Sequence, residues 1–256
     1  MSDLSGIARL LGSVFIVEPM LGSPAKLNRR LREICAKHAV LAELFPLPLS
    51  IPSDAPAELP RAFLADPSDA WKVVCSAVRI DLHYAPGNKD VAGKATSAQD
   101  FWRLCAQLLP AVQTNLQVEV SRVATVLHQR SEMKEPVAEY ISRAWFTPSL
   151  PAPLAEDMFE CEFHVNTRGT WSTGVKEQVV NKWVRLKARR GRDAPQAAQL
   201  LFREFDINTA PDDPAVRFSD EEVRAFFDEV GDMIAPIAEA IDERAGEQPS
   251  QLGDGT

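Results

Sequence analysis

The feature that most constrains this fold is a set of segments in which apolar and polar residues alternate. The clearest segment is Trp71–Tyr84 (WKVVCSAVRIDLHY), read as one strand with Val74 and Ile80 on one face and Cys75 and Asp81 on the other. A period of two residues is typical of β-strands that bury one face. The same reading applies to further segments: Ser13–Glu18, Glu119–Gln129, Phe159–Asn166, Val175–Ala188 and Gln199–Asn208.

Helical patterns lie between and after these strands. Ser23 and Pro24 begin a helix of about five turns, whose apolar positions run to Phe45. Ser97 caps a second helix that Pro110 should kink or end. The predicted short helix spans Val137–Phe146, and Pro46–Pro67 is predicted to be an extended loop.

The longest amphipathic stripe is at the C-terminal end. Ser219 and Glu222 form a capping box, and apolar residues recur from Val223 to Ile241, with a kink expected at Pro236. Strands and helices that cluster without strict alternation predict an α+β fold, with a largely antiparallel sheet and packed helices. We expect one domain over 1–244, with interlocked halves (1–150 and 151–244) as an alternative, and a disordered acidic tail over 245–256.

Composition restricts the compartment and the cofactors. No apolar run approaches the roughly 20 residues that span a bilayer, and the first residues do not resemble a secretory signal, so we expect a cytoplasmic protein with no membrane partner. The four cysteines (Cys35, Cys75, Cys105, Cys161) are scattered and predicted to be buried thiols. Asp206, Asp212 and Asp213 are interpreted as turn chemistry, and no metal or cofactor is expected.

Charge is distributed unevenly along a chain whose net charge is −8. From Arg168 to Arg192 there are eight basic residues and one acidic residue, whereas the sequence from Asp193 onward has sixteen acidic and four basic residues. The basic segment 182–192, here called the basic hairpin, is the candidate interaction surface. Its candidate residues are Lys182, Trp183, Arg185, Lys187, Arg189, Arg190 and Arg192.

The basic hairpin has two interpretations. Basic side chains beside an aromatic ring could neutralise phosphates and stack a base of single-stranded nucleic acid. Alternatively, the hairpin is a solvated turn, or it pairs with the acidic last fifty residues of the same chain or of another subunit. The overall negative charge favours pairing with protein.

Two carboxylate–imidazole pairs raise the question of catalysis. Asp81 and His83, like Glu162 and His164, are two residues apart and therefore share a strand face. A hydrolase using His83 or His164 is thus an alternative, although no nucleophile motif, zinc-protease motif or glycine-rich phosphate loop accompanies them. We expect a protein without catalytic residues.

The order of parts resembles a sporadically distributed, largely uncharacterised family of bacterial proteins. The resemblance is carried by Ser121–Leu127 (SRVATVL), by Phe205–Asn208 (FDIN), where Asn208 replaces the second Asp of an Asp-Ile-Asp-like signature, and by Phe226-Phe227 in the closing helix. It implies an α+β fold and a role in phage defence or regulation. The expectation is a recognition or accessory protein that binds a protein partner or forms a homo-oligomer, with nucleic-acid binding through 182–192 as the alternative.

Overall fold

The computed structural model describes residues 6–18, 23–50, 52, 55–86, 97–133, 141, 145, 160–174, 176–190, 199–210 and 212–246. The strands are β1 (Ile7–Ile16), β2 (Phe45–Pro46), β3 (Pro60–Ala65), β4 (Trp71–Ser76), β5 (Arg79–Tyr84), β6 (Val120–Met133), β7 (Glu160–Ser172), β8 (Glu177–Arg190) and β9 (Gln199–Thr209). The helices are α1 (Pro24–Cys35), α2 (Ala98–Leu116) and α3 (Asp220–Gly246), with a short 3₁₀ turn at Ala39–Leu41.

The strands form one nine-stranded sheet in the order β2-β3-β4-β5-β1-β6-β9-β8-β7. Every neighbouring pair is antiparallel, and β1 lies in the interior, with Val14 opposite Ile80 of β5 on one side and Val123 of β6 on the other. The expected α+β fold with an antiparallel sheet and a long C-terminal helix is therefore confirmed.

The helices pack on one face of the sheet, here called the core face. Leu10 and Val14 of β1 are fully buried on it. A Cβ atom at Gly12, between them, would lie 2.5 Å from Cys105 Sγ of α2 and 3.2 Å from the Phe227 ring of α3. Because side chains alternate along a strand, Arg9, Ser13 and Phe15 point to the opposite face, here called the open face.

Two of the expected helix and loop boundaries are wrong. The first helix ends at Cys35 and not at Phe45, because the chain turns through the 3₁₀ segment and then forms β2. Leu41 is buried from that turn, so its spacing from Ile34 resembled that of a longer helix. The expected loop Pro46–Pro67 contains β3, whose Pro60 occupies the first strand position, where proline is tolerated.

The segment Trp71–Tyr84 is a hairpin of two strands and not one strand. At the turn, the Ser76 hydroxyl accepts a hydrogen bond from the Val78 backbone N–H (3.2 Å) and donates to the Arg79 carbonyl (3.3 Å). The turn shifts the alternation, so Cys75 lies opposite Ile80 on the core face and Val74 lies opposite Asp81 on the open face. The turn contains no Gly, Pro, Asn or Asp, so the sequence pattern did not reveal it.

The helix N-termini agree with the sequence. The Ser97 side chain accepts from the Asp100 backbone N–H, and the capping box is reciprocal, since Ser219 N–H donates to Glu222 and Glu222 N–H donates to Ser219 Oγ. Both helices continue through their prolines, α2 past Pro110 and α3 past Pro236. The sequence predicted that Pro110 would either kink α2 or end it, and the helix does not end there.

Several expectations fall outside the described residues. They concern the helix 137–146 apart from Ile141 and Trp145, the end of the basic hairpin at 191–192, and the tail beyond Gly246, the residue at which α3 ends. Cys35, Cys75, Cys105 and Cys161 are free and buried, as predicted, and burial raises the pKa of Cys35 and of Cys75 to about 12. Within the described residues, no helix has the length and apolar character needed to cross a membrane.

Candidate recognition face

The open face of the sheet gathers charged side chains that are distant in sequence. The strand register places on it the basic residues Arg9, Lys72, Arg79, Arg122, Arg130, Arg168, Arg185 and Lys187, and the acidic residues Asp81, Glu162, Glu204 and Asp206. Among the described side chains, basic ones thus outnumber acidic ones here, although the whole chain carries a net charge of −8. The composition does not reveal this local excess of basic residues.

A row of ionisable groups crosses five strands at the middle of the open face. Directly opposite residues in β1, β6, β9, β8 and β7 give the order Arg9, His128, Glu204, Arg185 and His164. Arg185 donates a hydrogen bond of 2.8 Å to Glu204, whose second oxygen lies 3.6 Å from His128 Nδ1. Glu204 therefore hydrogen-bonds a guanidinium and lies close to an imidazole.

A shallow cleft of about 310 Å³ opens beside this row. Its walls include His128, Glu162, Arg185, Lys187, Phe202 and Glu204. Burial lowers the pKa of His128, although the carboxylate of Glu204 opposes that shift. Cationic, anionic and aromatic groups thus meet in one depression.

Trp183 is a partly exposed aromatic side chain beside the row. Its ring stacks with the His164 imidazole at 5.3 Å between centroids, and the Arg185 guanidinium lies 5.8 Å from its centroid. The ring is therefore held by contacts on the sheet surface without being buried in the core. Such a preordered, partly exposed tryptophan suits a contact with another molecule.

A second cluster surrounds Phe15 on β1. Arg79 and Arg122 lie directly opposite Phe15 on the two neighbouring strands. Their guanidinium carbons lie 5.7 Å and 4.7 Å, respectively, from the ring centroid. Burial lowers the pKa of Arg122, and its Nε atom has no hydrogen-bond partner within the described part of the chain. The cluster concentrates positive charge over an apolar ring.

Asp81 and His83 lie next to this cluster. Asp81 accepts hydrogen bonds from Ser13 (2.6 Å) and Arg79 (2.9 Å); burial raises its pKa, and these partners only partly oppose the rise. Burial, and then the charges of Arg9, Arg79 and Lys72, lower the pKa of His83 to about 4. His83 is therefore neutral at pH 7, and its Nδ1 accepts from Arg9 at 3.1 Å.

These surroundings disfavour hydrolysis by the two histidines singled out in the sequence. A pKa near 4 makes His83 a weak general base at neutral pH. His164 lies on β7, five strand positions from β5 and thus roughly 24 Å away. The imidazole of His164 stacks on Trp183, and the carboxylate of Glu162 lies 3.5 Å from Lys187 Nζ.

The strand register divides the residues of the basic hairpin. Trp183, Arg185 and Lys187 lie on the open face, whereas Lys182 lies on the core face near Gly169. Arg189 and Arg190 belong to β8, with side chains outside the described part, and Arg192 is also outside it. The hairpin is therefore not one surface, and its open-face half joins residues that the sequence analysis missed, above all His128, Glu204 and Arg122.

The described part of helix α3 does not cover these cations. Helix α3 lies on the core face, where Asp242 pairs with Arg203 at 2.6 Å and Glu222 with Lys176 at 3.0 Å. On the open face, Arg185 pairs with Glu204 and Lys187 with Glu162. Pairing of the hairpin with α3 of the same chain is thus not observed among the described residues.

The three aspartates considered as turn chemistry have separate partners. Asp206 accepts from Asn208, Asp212 pairs with Arg168 at 2.8 Å, and Asp213 accepts from the Ala215 backbone N–H. Among the described residues, no group of three or more His, Cys, Asp or Glu side chains is positioned to hold a metal ion.

Comparison with known proteins adds no relative. No family model matches this chain, and no curated protein is significantly similar to it in sequence. The resemblance drawn from Ser121–Leu127 and Phe205–Asn208 therefore stays a prediction.

Proposed function

We propose that this protein is a non-catalytic recognition protein that binds a protein partner through the open face of its sheet. The observation that carries the proposal is the row Arg9, His128, Glu204, Arg185 and His164, flanked by Trp183, on the face opposite the described helices. Arginine and tryptophan contribute most to binding energy in protein interfaces.

The pairing of charges on this face favours a protein over a polyanion. Most of its cations already have a carboxylate within 4.0 Å: Lys72–Asp69, Arg79–Asp81, Arg168–Asp212, Arg185–Glu204 and Lys187–Glu162. A paired cation releases fewer counterions from a phosphate backbone. A surface of alternating sign instead complements another surface of alternating sign, which gives specificity. On the basis of the family resemblance, we further propose that this partner belongs to a bacterial phage-defence or regulatory system.

Charge reversal with a matched control tests this proposal. The test variant is Arg185→Glu with Lys187→Glu, and the control is Arg29→Glu with Arg103→Glu, which makes the same charge change on exposed residues of α1 and α2. Each tagged protein is used for capture from the native host, with and without phage challenge, followed by quantitative mass spectrometry.

We expect a protein that is recovered with the wild type and with the control but at least about tenfold less with the test variant, since loss of interface anchors costs more than about 1.4 kcal/mol. Equal recovery with both variants would contradict the proposal. So would the absence of any protein enriched by the wild type. Circular dichroism of each variant establishes that it is folded.

A second candidate is binding of single-stranded nucleic acid, and one observation favours it. Arg9, Lys72 and Arg79 surround neutral His83, with Arg122 beyond Phe15, and the carboxylates beside them are Asp81 at Arg79 and Asp69 at Lys72. Fluorescence anisotropy with a labelled oligonucleotide across a salt series tests it. Arg9→Gln with Lys72→Gln should reduce the salt slope by about 1.4, because each lost contact with a single strand removes about 0.7. Absence of wild-type binding at low salt would eliminate this candidate.

A further inference from the structure

Strand β7 is the last strand of the sheet, and its outer edge is the one that faces away from β8. It pairs with β8 along Glu160–Ser172, 13 residues without a register shift. No described strand pairs with its other edge. The strand has no proline and no bulge, two of the devices that protect an edge from pairing with another chain. A long, regular edge of this kind is a template for one more strand.

The side chains of β7 are exposed along most of its length. Glu162, His164, Asn166 and Arg168 are exposed on the open face, and Thr167 is exposed on the core face. Val165, also on the core face, is one of the large apolar side chains that solvent reaches, with 37% of its surface accessible. An apolar residue at the middle of a polar edge gains most from being covered.

The charged residues of β7 are ordered so that two antiparallel copies of the strand place opposite charges against each other. When two copies of a strand pair antiparallel about a two-fold axis at Val165, each residue faces the one equally far beyond the axis. Glu162 then faces Arg168 of the second copy, twice by symmetry. His164 faces Asn166, and Val165 faces its own copy.

The two neighbouring registers lose the pairing of Glu162 with Arg168. An axis at Asn166 places Arg168 against His164 and Glu162 against Thr170. An axis at His164 sets Arg168 against Glu160, but it brings two imidazoles together and sets Glu162 against Asn166. Within each chain Glu162 also lies near Lys187 (3.5 Å) and Arg168 near Asp212 (2.8 Å), so each new pair would join an existing exposed ion pair and form a network.

We propose that two copies of this chain associate through the outer edges of β7, antiparallel and centred on Val165. The two nine-stranded sheets then become one continuous sheet, and the two open faces adjoin on the same side. This assembly does not rest on the partner proposed above, because it uses the backbone edge of β7, although His164 of β7 also belongs to the row on the open face.

Site-specific cross-linking tests the register. Val165→Cys places two thiols on the axis, about 5 Å apart between Cα atoms, whereas Thr167→Cys, on the same face of the same strand, places them roughly 14 Å apart. A short bismaleimide should therefore couple Val165→Cys into a dimer and leave Thr167→Cys monomeric on a denaturing gel. Native Cys161 faces Gly169 in this register, so the wild type should not be coupled. Equal coupling of the two variants, or none in Val165→Cys, overturns the proposal.

A charge swap tests the ion pairs. Glu162→Arg and Arg168→Glu each place like charges opposite one another twice, so each should weaken dimerisation about tenfold. The double variant restores opposite charges and should restore the dimer. Sedimentation velocity over a concentration series measures the effect, and thermal melts establish that each variant is folded. The proposal is rejected if the wild type stays monomeric throughout, or if the double variant dimerises as weakly as the single variants. In that case an extended peptide is the remaining occupant of the edge.

Discussion

The indole N–H of Trp102 donates to the hydroxyl of Thr125 at 3.1 Å, and that hydroxyl donates in turn to the Leu11 carbonyl at 2.8 Å. Trp102 and Thr125 are fully buried, so a single hydroxyl joins α2, β6 and β1 inside the core. A buried donor without an acceptor is costly because water cannot replace the lost partner.

Thr125→Val should therefore lower the free energy of unfolding by about 1–3 kcal/mol, because the shape is kept while the Trp102 N–H loses its acceptor. Urea denaturation measures the change. Thr125→Ser is the matched control, since it keeps the hydroxyl and removes one methyl group. An unchanged stability of Thr125→Val would show that the hydrogen bond contributes nothing.

Gly12 is required by the close approach of α2 and α3 to β1. Gly12→Ala would set a Cβ atom 2.5 Å from Cys105 Sγ and should destabilise the fold by about 1–3 kcal/mol. The control is Gly169→Ala on β7, where the nearest atom is 3.7 Å away. Thermal denaturation of both variants should show a lower melting temperature for Gly12→Ala alone. Cys105→Ala, added to Gly12→Ala, should recover part of the loss.

Ser219 begins α3, the helix that contributes Phe226 and Phe227 to the core. Ser219→Ala removes the acceptor for the Glu222 backbone N–H (3.2 Å) and should cost about 1 kcal/mol of unfolding free energy. Ser219→Asp keeps a capping acceptor and should cost less. Urea denaturation that ranks the two variants in the opposite order would refute this role.

Acid should destabilise the fold through His83. The unfolded imidazole binds its proton near pH 6.5, whereas the folded one, buried beside Arg9, Arg79 and Lys72, does so only near pH 4. Stability is therefore lost as the pH falls through this window, by roughly 3 kcal/mol in total. Asp81 has the opposite effect on stability at low pH. Because burial raises its pKa, its protonation as the pH falls stabilises the fold.

The variant His83→Gln isolates this contribution, because every other group titrates in both proteins. Urea denaturation at a series of pH values should show a stability difference between the wild type and His83→Gln that declines towards acid. Curves that stay parallel across the window would disprove the assignment.

Glu204 acts on His128 across the central row. Glu204→Gln removes the carboxylate 3.6 Å from Nδ1, which opposes the effect of burial, so the pKa of His128 should fall further. Titration of the imidazole proton signals by NMR checks this. Glu162→Gln, which removes the carboxylate near Lys187 on the next row, should have a much smaller effect.

Patterns within a single segment predicted much of the fold. The strands around Val126, Val184 and Phe205 were evident because apolar side chains recur at every second position. The starts of α2 and α3 were evident because Ser97 and Ser219 cap their own helices. The turn at Ser76–Arg79 was missed because its hydrogen bonds come from an ordinary serine within a continuous apolar pattern.

The candidate recognition face could not be predicted in the same way. Arg79 and Arg122 meet over Phe15 only because β1 lies between β5 and β6. Arg185 meets Glu204 only because β8 and β9 pair in one particular register. A local pattern states which residues share a strand face, but not which strands are neighbours. The sequence therefore indicated half of the surface, Trp183 with Arg185 and Lys187, and not its continuation onto β9, β6 and β1.

The interior position of β1 has a consequence for synthesis. Ile7–Ile16 is the first described strand to leave the ribosome, yet it separates β5 from β6, the two strands that pair with it. Until β6 has emerged, one edge of β1 is unpaired, with Leu10 and Val14 lacking part of their cover. The nascent chain therefore has to protect an aggregation-prone edge for more than a hundred residues of elongation, and chaperone dependence should be greatest over that interval.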